Sequence, residues 1–521
     1  MQTHHNGHIP GQNGHIAIST AKSKYETATH GKHPLPSASQ SNSPIDNQLG
    51  PDIYSTTLPW WRAAIRTQIL SSVEWESRVI AKMQERIRTP WLDAYFVYTS
   101  SLGTHTFFMI ALPLLFFFGY AELGRGLVFV LASGVYFSSF VKDLICSPRP
   151  LAPPVTRLTI GTHHLEYGFP STHSTNSVSI ALFIFSHVHR AYMSSSESAG
   201  MSQSTYYLSC ILLFIYALSI VFGRLYTAMH SFTDCVFGVL LGTAIWGAHL
   251  IAGEFVERWL ESGGWIVPLT ITPLCLLLVH YHPQPVDDCP CFEDAIAFVS
   301  VILGIFLARW HTIHAGVEAK YMESVMPGNL EATWQDLGVW WSVAGAKMGV
   351  GILTIFAWRL LAKSTLHAVL PPLFRTLSMC ITLPHRRFYT PATDYANVPM
   401  GGGGGGALRS IPSVIDLPGM IEVDVSGRGE PGLGVPTGMR GGELKRRGGG
   451  NGIGAGTGNR NGSAHDNGSA NELEKAQPSK QVEHYDADVL TKVVVYAGIA
   501  ALAAEGIPIM FSLFGWGVKP W

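Results

Sequence analysis

The chain has 521 residues, of which 47% are hydrophobic and only 14% charged, and its mean hydropathy is positive at +0.20. An average soluble domain carries roughly 25% charged residues, so this composition excludes an ordinary soluble protein and indicates a membrane protein. The near-neutral balance, a net charge of −1 and a pI near 7.1, excludes a nucleic-acid binder, which would show a basic face, and implies no polyanion partner.

Residues 1 to about 57 are rich in His, Ser, Asn, Pro and Gly with almost no aromatic content, so they are expected to form a disordered tail. Its His4, His5, His8 and His15 have no fixed spacing and no acidic partner, and no metal is expected there. No basic flank with a short apolar core opens the chain, so membrane insertion is expected to rely on an internal span beginning near residue 94. Residues 58–93 mix Leu58, Trp60, Trp61, Ile65, Val73 and Trp75 with Arg62, Arg66, Arg78, Lys82, Arg86 and Arg88. That mixture suits an amphipathic helix at the membrane interface, or equally a helix packed on the bundle.

Hydrophobic runs of about 20 residues follow, at about 94–118, 124–142, 174–190, 206–223, 232–252, 265–281, 295–310, 336–361 and 489–513. The expected fold is therefore all-α, a polytopic transmembrane bundle of about eight to nine spans with its main transmembrane domain over 94–365. Ser100, Ser101, Gly103 and Thr104 interrupt the first run, which admits a broken helix or two short passes. A connecting segment covers 366–390. From 391 to 485 the composition turns to Gly, Ser and Asn, opening with Gly401 to Gly406, and reads as a disordered insert. Asn461 and Asn467 begin glycosylation sequons inside it, of a kind that this composition makes common. The seven cysteines form no disulfide framework, and Cys289-Pro290-Cys291 is too tight for half a zinc site, so they are read mostly as apolar fillers.

Three polar clusters stand at the ends of apolar runs, where ionisable groups are costly and usually functional. In the first, Lys142 closes the second run, and Pro148 and Pro150 stop the helix so that Arg149 falls in the loop beyond. Taken alone these are ordinary snorkelling residues. In the second, Pro170 and Ser171 begin a helix whose free amides, near Ser171 and Thr172, suit a phosphate, with His173 in the first turn. The third runs from Arg224 to His230 and Asp234, the last two four apart and hence on one helical face. A carboxylate behind a histidine orients the ring as a nucleophile or base. The first two clusters share one loop, and the chain crosses twice more before the third, so all three face one side of the membrane. Together they have the composition of a site that holds and transfers a phosphate.

The order KxxxxxxRP, PSxH, RxxxxxHxxxD resembles the signature of the type 2 phosphatidic acid phosphatase superfamily, matched at Lys142, Arg149, Pro150, Pro170, Ser171, His173, Arg224, His230 and Asp234. Within it, the wording Pro-Ser-Thr-His and Gly-Arg-Leu-Tyr-x-x-Met-His looks most like the sphingosine-1-phosphate and fungal long-chain base phosphate phosphatases. Thr172 stands where the superfamily commonly has Gly, and Gly223 where it has Ser, which leaves every charged role filled. The resemblance implies that Lys142, Arg149, Arg224 and the amides near Ser171 and Thr172 bind the phosphoryl oxygens. It implies that His230, oriented by Asp234, attacks phosphorus, and that His173 protonates the departing alkoxide and then activates water. No metal or other cofactor is implied, the partner is a lipid phosphate, and the location is the endoplasmic reticulum with the site facing the lumen. The basic residues flanking the runs would instead place that side in the cytosol. A phosphatase for phosphatidic acid or a polyprenyl diphosphate is the nearest alternative, and an anion transporter a distant one, for which the two histidines and the Asp are surplus.

Overall fold

The computed structural model describes residues 53–100, 105–158, 166–194, 201–328, 333–394 and 484–519. The expected tail with its four histidines, apart from its last five residues, and most of the Gly-rich insert with its two sequons lie outside them. Residues 53–57 are helical and 484–485 pair as a strand, which corrects the disorder expected at those positions.

Thirteen α-helices are described: α1 Ile53–Thr57, α2 Trp60–Ile87, α3 Pro90–Ser100, α4 His105–Phe117, α5 Ala121–Ile145, α6 Thr172–Ser194, α7 Gln203–Tyr226, α8 Phe232–Ser262, α9 Ile266–His280, α10 Cys291–His314, α11 Trp334–Ser378, α12 Asp486–Ala501 and α13 Ile507–Leu513. A π-helical turn, Leu502–Gly506, joins the last two into one rod. Two short strands, β1 Tyr389–Thr390 and β2 His484–Tyr485, pair in parallel.

Six of these helices, counting α12 and α13 as one, are long and apolar enough to cross a membrane: α5, α7, α8, α10, α11 and the α12–α13 rod. The protein is a multi-pass helical membrane protein. The remaining expected runs explain themselves locally. The first is divided between α3 and α4 across its Ser/Gly/Thr interruption, and α9 is apolar but only 15 residues long. Helix α6 is too polar to qualify because Ser174, Thr175, Asn176, Ser177 and Ser179 line its buried face. The hydroxyls of Thr175, Ser177 and Ser179 are satisfied by carbonyls of the preceding turn, as in Thr175 Oγ1 to Ser171 O at 3.0 Å and Ser177 Oγ to Ser174 O at 3.2 Å, and Ser174 Oγ donates to Ser171 Oγ at 3.0 Å.

Burial sorts the spans into two roles. The most apolar window is 72% buried in α5 and in α10 but 22% buried in α7 and in α8. The former pair is therefore the hub, and the latter present Phe214, Leu240 and their neighbours outward. Helix α10 packs on α12 and α5, and α6 on α8 and α7. Close approach is set by small residues. A Cβ on Gly242 would lie 2.3 Å from Thr175 O, and one on Gly238 would lie 2.7 Å from Ser171 O. These two glycines, four apart on α8, let its first turns meet the start of α6 backbone to backbone.

Helix α2 has two faces. Arg66, Val73, Glu76, Ser77, Ile80 and Gln84 are buried, while Trp60 and Trp75 are 84% and 61% exposed. Its inner face holds the inter-helix loops by long-range bonds. Gln84 Nε2 donates to Thr156 O and Tyr226 O, Arg66 Nε donates to Cys146 O, and the Ser77 hydroxyl accepts from Leu151 N.

Candidate active site

The three motif-bearing loops meet at one end of the bundle. Helix α5 stops because Cys146 turns left-handed at φ 56° and Pro148 and Pro150 follow, which leaves Lys142 in the last turn and Arg149 in the loop. Helix α6 starts at Thr172 with Ser171 as its cap, Ser171 Oγ accepting from Ser174 N at 3.3 Å. Helix α7 ends at Tyr226, and Ala228 at φ 52° turns the chain so that Met229 N and His230 N both donate to Arg224 O. Ser231 and Asp234 then form a reciprocal capping box. Ser231 N donates to Asp234 Oδ2 at 2.8 Å, and Asp234 N donates to Ser231 Oγ at 3.1 Å.

Lys142, Arg149, Arg224, His230, Asp234, Ser171 and Thr172 are all buried, and His173 is half-buried. The ring of His230 is the centre. Its Nδ1 lies 2.9 Å from Gly168 O, and a carbonyl can only accept, so Nδ1 carries the proton and Nε2 keeps the lone pair. The Asp234 carboxylate is 3.8 Å from the same Nδ1. Nε2 faces Arg149 Nη1 at 3.3 Å. Burial, followed by the charges of Arg149, Arg224, Lys142 and His173, holds the imidazole well below its usual pKa, which keeps it neutral and places all four groups within electrostatic reach.

One of the expected roles meets a local constraint. Ser171 N donates to Asp234 O at 3.0 Å, so that amide is engaged in joining α6 to α8. Thr172, at the first helical position, accepts at Oγ1 from Ser138 Oγ at 2.9 Å and so ties α6 to α5. Arg224 Nε, by contrast, is buried and has no acceptor among the described residues.

Several residues here were not singled out from sequence. Gly168 supplies the carbonyl for His230. Glu166 places one carboxylate oxygen 2.9 Å from Lys142 Nζ and 3.2 Å from Arg149 Nη2. Glu76 on α2 accepts from Thr233 N at 3.0 Å and fixes the turn carrying His230. An acid two residues before Gly168 was visible as a neighbour of the second motif, but nothing local marks Glu76. A disulfide joins Cys289 and Cys291, a pairing the spacing did not suggest, and it packs with Cys146 and Tyr167 beside the first motif. Among the described residues the one cluster with metal-ligand spacing is Asp143 with these two cysteines, whose sulfurs are bonded to each other.

A profile of the PAP2 superfamily matches residues 123–255, which enclose every motif residue above. The dihydrosphingosine 1-phosphate phosphatase C823.11 of Schizosaccharomyces pombe is 36% identical over 325 residues, 62% of this chain and 74% of the relative. The chain belongs to the PAP2 superfamily. Dihydrosphingosine 1-phosphate phosphatase YSR3 of Saccharomyces cerevisiae is 30% identical over 66% of this chain and 79% of its own length. Lipid phosphate phosphatase delta of Arabidopsis thaliana is 31% identical over 56% and 67%. No solved structure matches the chain.

Proposed function

We propose that this PAP2 protein hydrolyses long-chain base 1-phosphates, such as dihydrosphingosine 1-phosphate, to the free base and inorganic phosphate. The observation that carries the reading is the His230 ring, with Nδ1 committed to Gly168 O and a neutral Nε2 turned toward Arg149. Lys142, Arg149 and the unpartnered Nε of Arg224 bind the phosphoryl oxygens, with the amide of Thr172 at the helix start. The lone pair of Nε2 attacks phosphorus as the bond to the alcohol oxygen breaks. His173 gives that oxygen its proton, and phosphohistidine forms. His173, now neutral, takes a proton from water, whose oxygen attacks phosphorus and releases phosphate and the free ring. Three cations supply the charge that a metal supplies elsewhere, so turnover requires none.

The substrate class is supported by the two yeast relatives, whose names specify dihydrosphingosine 1-phosphate. The endoplasmic reticulum with a luminal site is supported by the disulfide at the site's end of the bundle, since such bonds persist in an oxidising lumen. Phosphate release from dihydrosphingosine 1-phosphate and from phosphatidic acid, in matched micelles with chelator, tests the function. Equal or greater activity on phosphatidic acid overturns the substrate reading, and loss of activity in chelator that a divalent metal restores overturns the metal-free one. For orientation, Cys380 and Cys210 are replaced and Ala152→Cys added in the exposed loop. Labelling by an impermeant maleimide in sealed, right-side-out microsomes before permeabilisation overturns the luminal site.

A further inference from the structure

The anion position of the site is held by a carboxylate of the protein itself. Oε2 of Glu166 bridges Lys142 Nζ and Arg149 Nη2, two of the donors a phosphoryl group would engage. A phosphate dianion and this carboxylate repel each other and compete for the same donors, so the side chain must swing aside when substrate binds. It cannot travel far. Glu166 O accepts from Arg149 Nε at 2.9 Å, Gly168 N donates to Ser147 O at 2.8 Å, and Tyr167 Oη donates to Asp287 Oδ2 at 3.1 Å. The displaced carboxylate therefore stays beside the bound phosphate. Its side chain is only 18% exposed. A half-buried anion that gives up these two ion pairs and faces the bound phosphate is costly.

A long-chain base 1-phosphate removes that cost because it is a zwitterion, with phosphate on its first carbon and an ammonium on its second. We propose that Glu166 is the specificity-determining residue that reads this ammonium, exchanging its pair with Lys142 and Arg149 for one with the substrate amine. The proposal rests on the substrate class proposed above. A lipid phosphate without an amine displaces Glu166 equally well but offers nothing in place of its pairs with Lys142 and Arg149, and so is selected against.

The test compares kcat/KM for dihydrosphingosine 1-phosphate, its N-acetyl derivative and octadecyl phosphate, using the full-length protein in detergent micelles. In the wild type the amine-bearing substrate should lead by about tenfold to a hundredfold, the range of a charge-assisted hydrogen bond. Glu166→Gln should bring that ratio close to one. Glu166→Asp, which keeps the charge but withdraws it by one bond, should give an intermediate ratio, and it serves should the Gln variant not fold. A wild-type ratio near one overturns the assignment. So does a ratio unchanged in the variants while all three substrates fall together, the result expected if Glu166 only positions Lys142 and Arg149. Absence of any turnover of dihydrosphingosine 1-phosphate by the wild type sinks the substrate class as well, whereas turnover without amine preference sinks Glu166 alone.

Discussion

The ring of His230 makes its direct hydrogen bond to Gly168, at 2.9 Å, and reaches the Asp234 carboxylate only at 3.8 Å. The tautomer is thus set by a backbone carbonyl, while Asp234 contributes negative charge and, through Ser231, the geometry of the turn. His230→Asn should abolish phosphoenzyme formation on every substrate. Asp234→Asn, which can still accept from Ser231 N, should leave measurable turnover, reduced about a hundredfold, the scale of one electrostatic support. Trapping with radiolabelled substrate and steady-state rates check both. An Asp234→Asn variant that folds yet is as dead as His230→Asn would show the carboxylate to be indispensable.

His173 is the half-buried member of the pair, and its importance should depend on the leaving group. General-acid help is worth roughly 10²–10⁴-fold for an alkoxide and little for a nitrophenolate. In His173→Ala, a nitrophenyl phosphate should still phosphorylate the enzyme, and the intermediate should persist as acid-labile, base-stable label because no residue activates water. Dihydrosphingosine 1-phosphate should give little. Failure of His173→Ala to trap label from the nitrophenyl ester, together with success in His230→Ala, would reverse the two roles.

Burial and the surrounding cations lower the His230 pKa, so its protonation at acid pH is the step that removes the nucleophile. The acid limb of kcat/KM assigned to this ring should lie below pH 6.5, the ordinary histidine value. Lys142→Met removes one of the charges that depress it and should move that limb upward. A pH profile on one substrate for both proteins reads the shift, and a limb that moves down counts against it.

His484 behaves oppositely. Burial lowers its pKa, but bonds to Asp288 and Glu293 outweigh that and raise it to about 9. Between pH 6.5 and about 9 the folded protein holds a proton that the unfolded chain releases, so this contribution is full below 6.5 and lost as pH rises through 9. In detergent, the thermal midpoint of the wild type should exceed that of His484→Phe at pH 6.5, and the gap should narrow by pH 9.5. A gap that widens with pH would contradict the ion pairing.

Gly242 stands where α8 meets α6, and a Cβ placed on it would lie 2.3 Å from the Thr175 carbonyl oxygen, which cannot yield as a side chain can. Gly242→Ala should push the His230 turn away from the start of α6 and cost about a hundredfold in kcat, as misplacement by an ångström can. Gly247→Ala, on the same helix with nothing within 4 Å, is the control and should cost less than twofold. Similar losses in both would point to a general intolerance of α8 rather than this contact.

What could be read from the chain, and what could not, divides by range. The ends of α5, α6, α7 and α8 follow from Pro148, Ser171 and the polar stretch at 227–231, all local signals, so the motif residues fell at helix ends as their spacing indicated. Hydropathy counted α6 as an ordinary span, because a serine face bonded to its own carbonyls is indistinguishable in sequence from a shortened apolar run. Glu76 and Gln84 lie in a stretch that reads as an interfacial or bundle-packed helix, and they serve loops 157 and 142 residues away in the chain. No periodicity encodes such partners. Glu166 was hidden for another reason: opposition of a protein carboxylate to the phosphate donors exists only once the loop closes on Lys142 and Arg149.

The parallel pairing of Tyr389 with His484 brings together two points of the chain that lie 95 residues apart. The pairing is reinforced by Ala392 N donating to Asp486 Oδ2 at 2.9 Å and by Lys492 of α12 on Glu293 of α10 at 2.5 Å. The rod of α12 and α13 is thus moored by its own contacts with α10 and α11, not by the covalent thread that leads to it. The rod's place in the bundle therefore does not depend on its covalent link to β1: these contacts would hold it against α10 and α11 as a separate polypeptide once that link was cut.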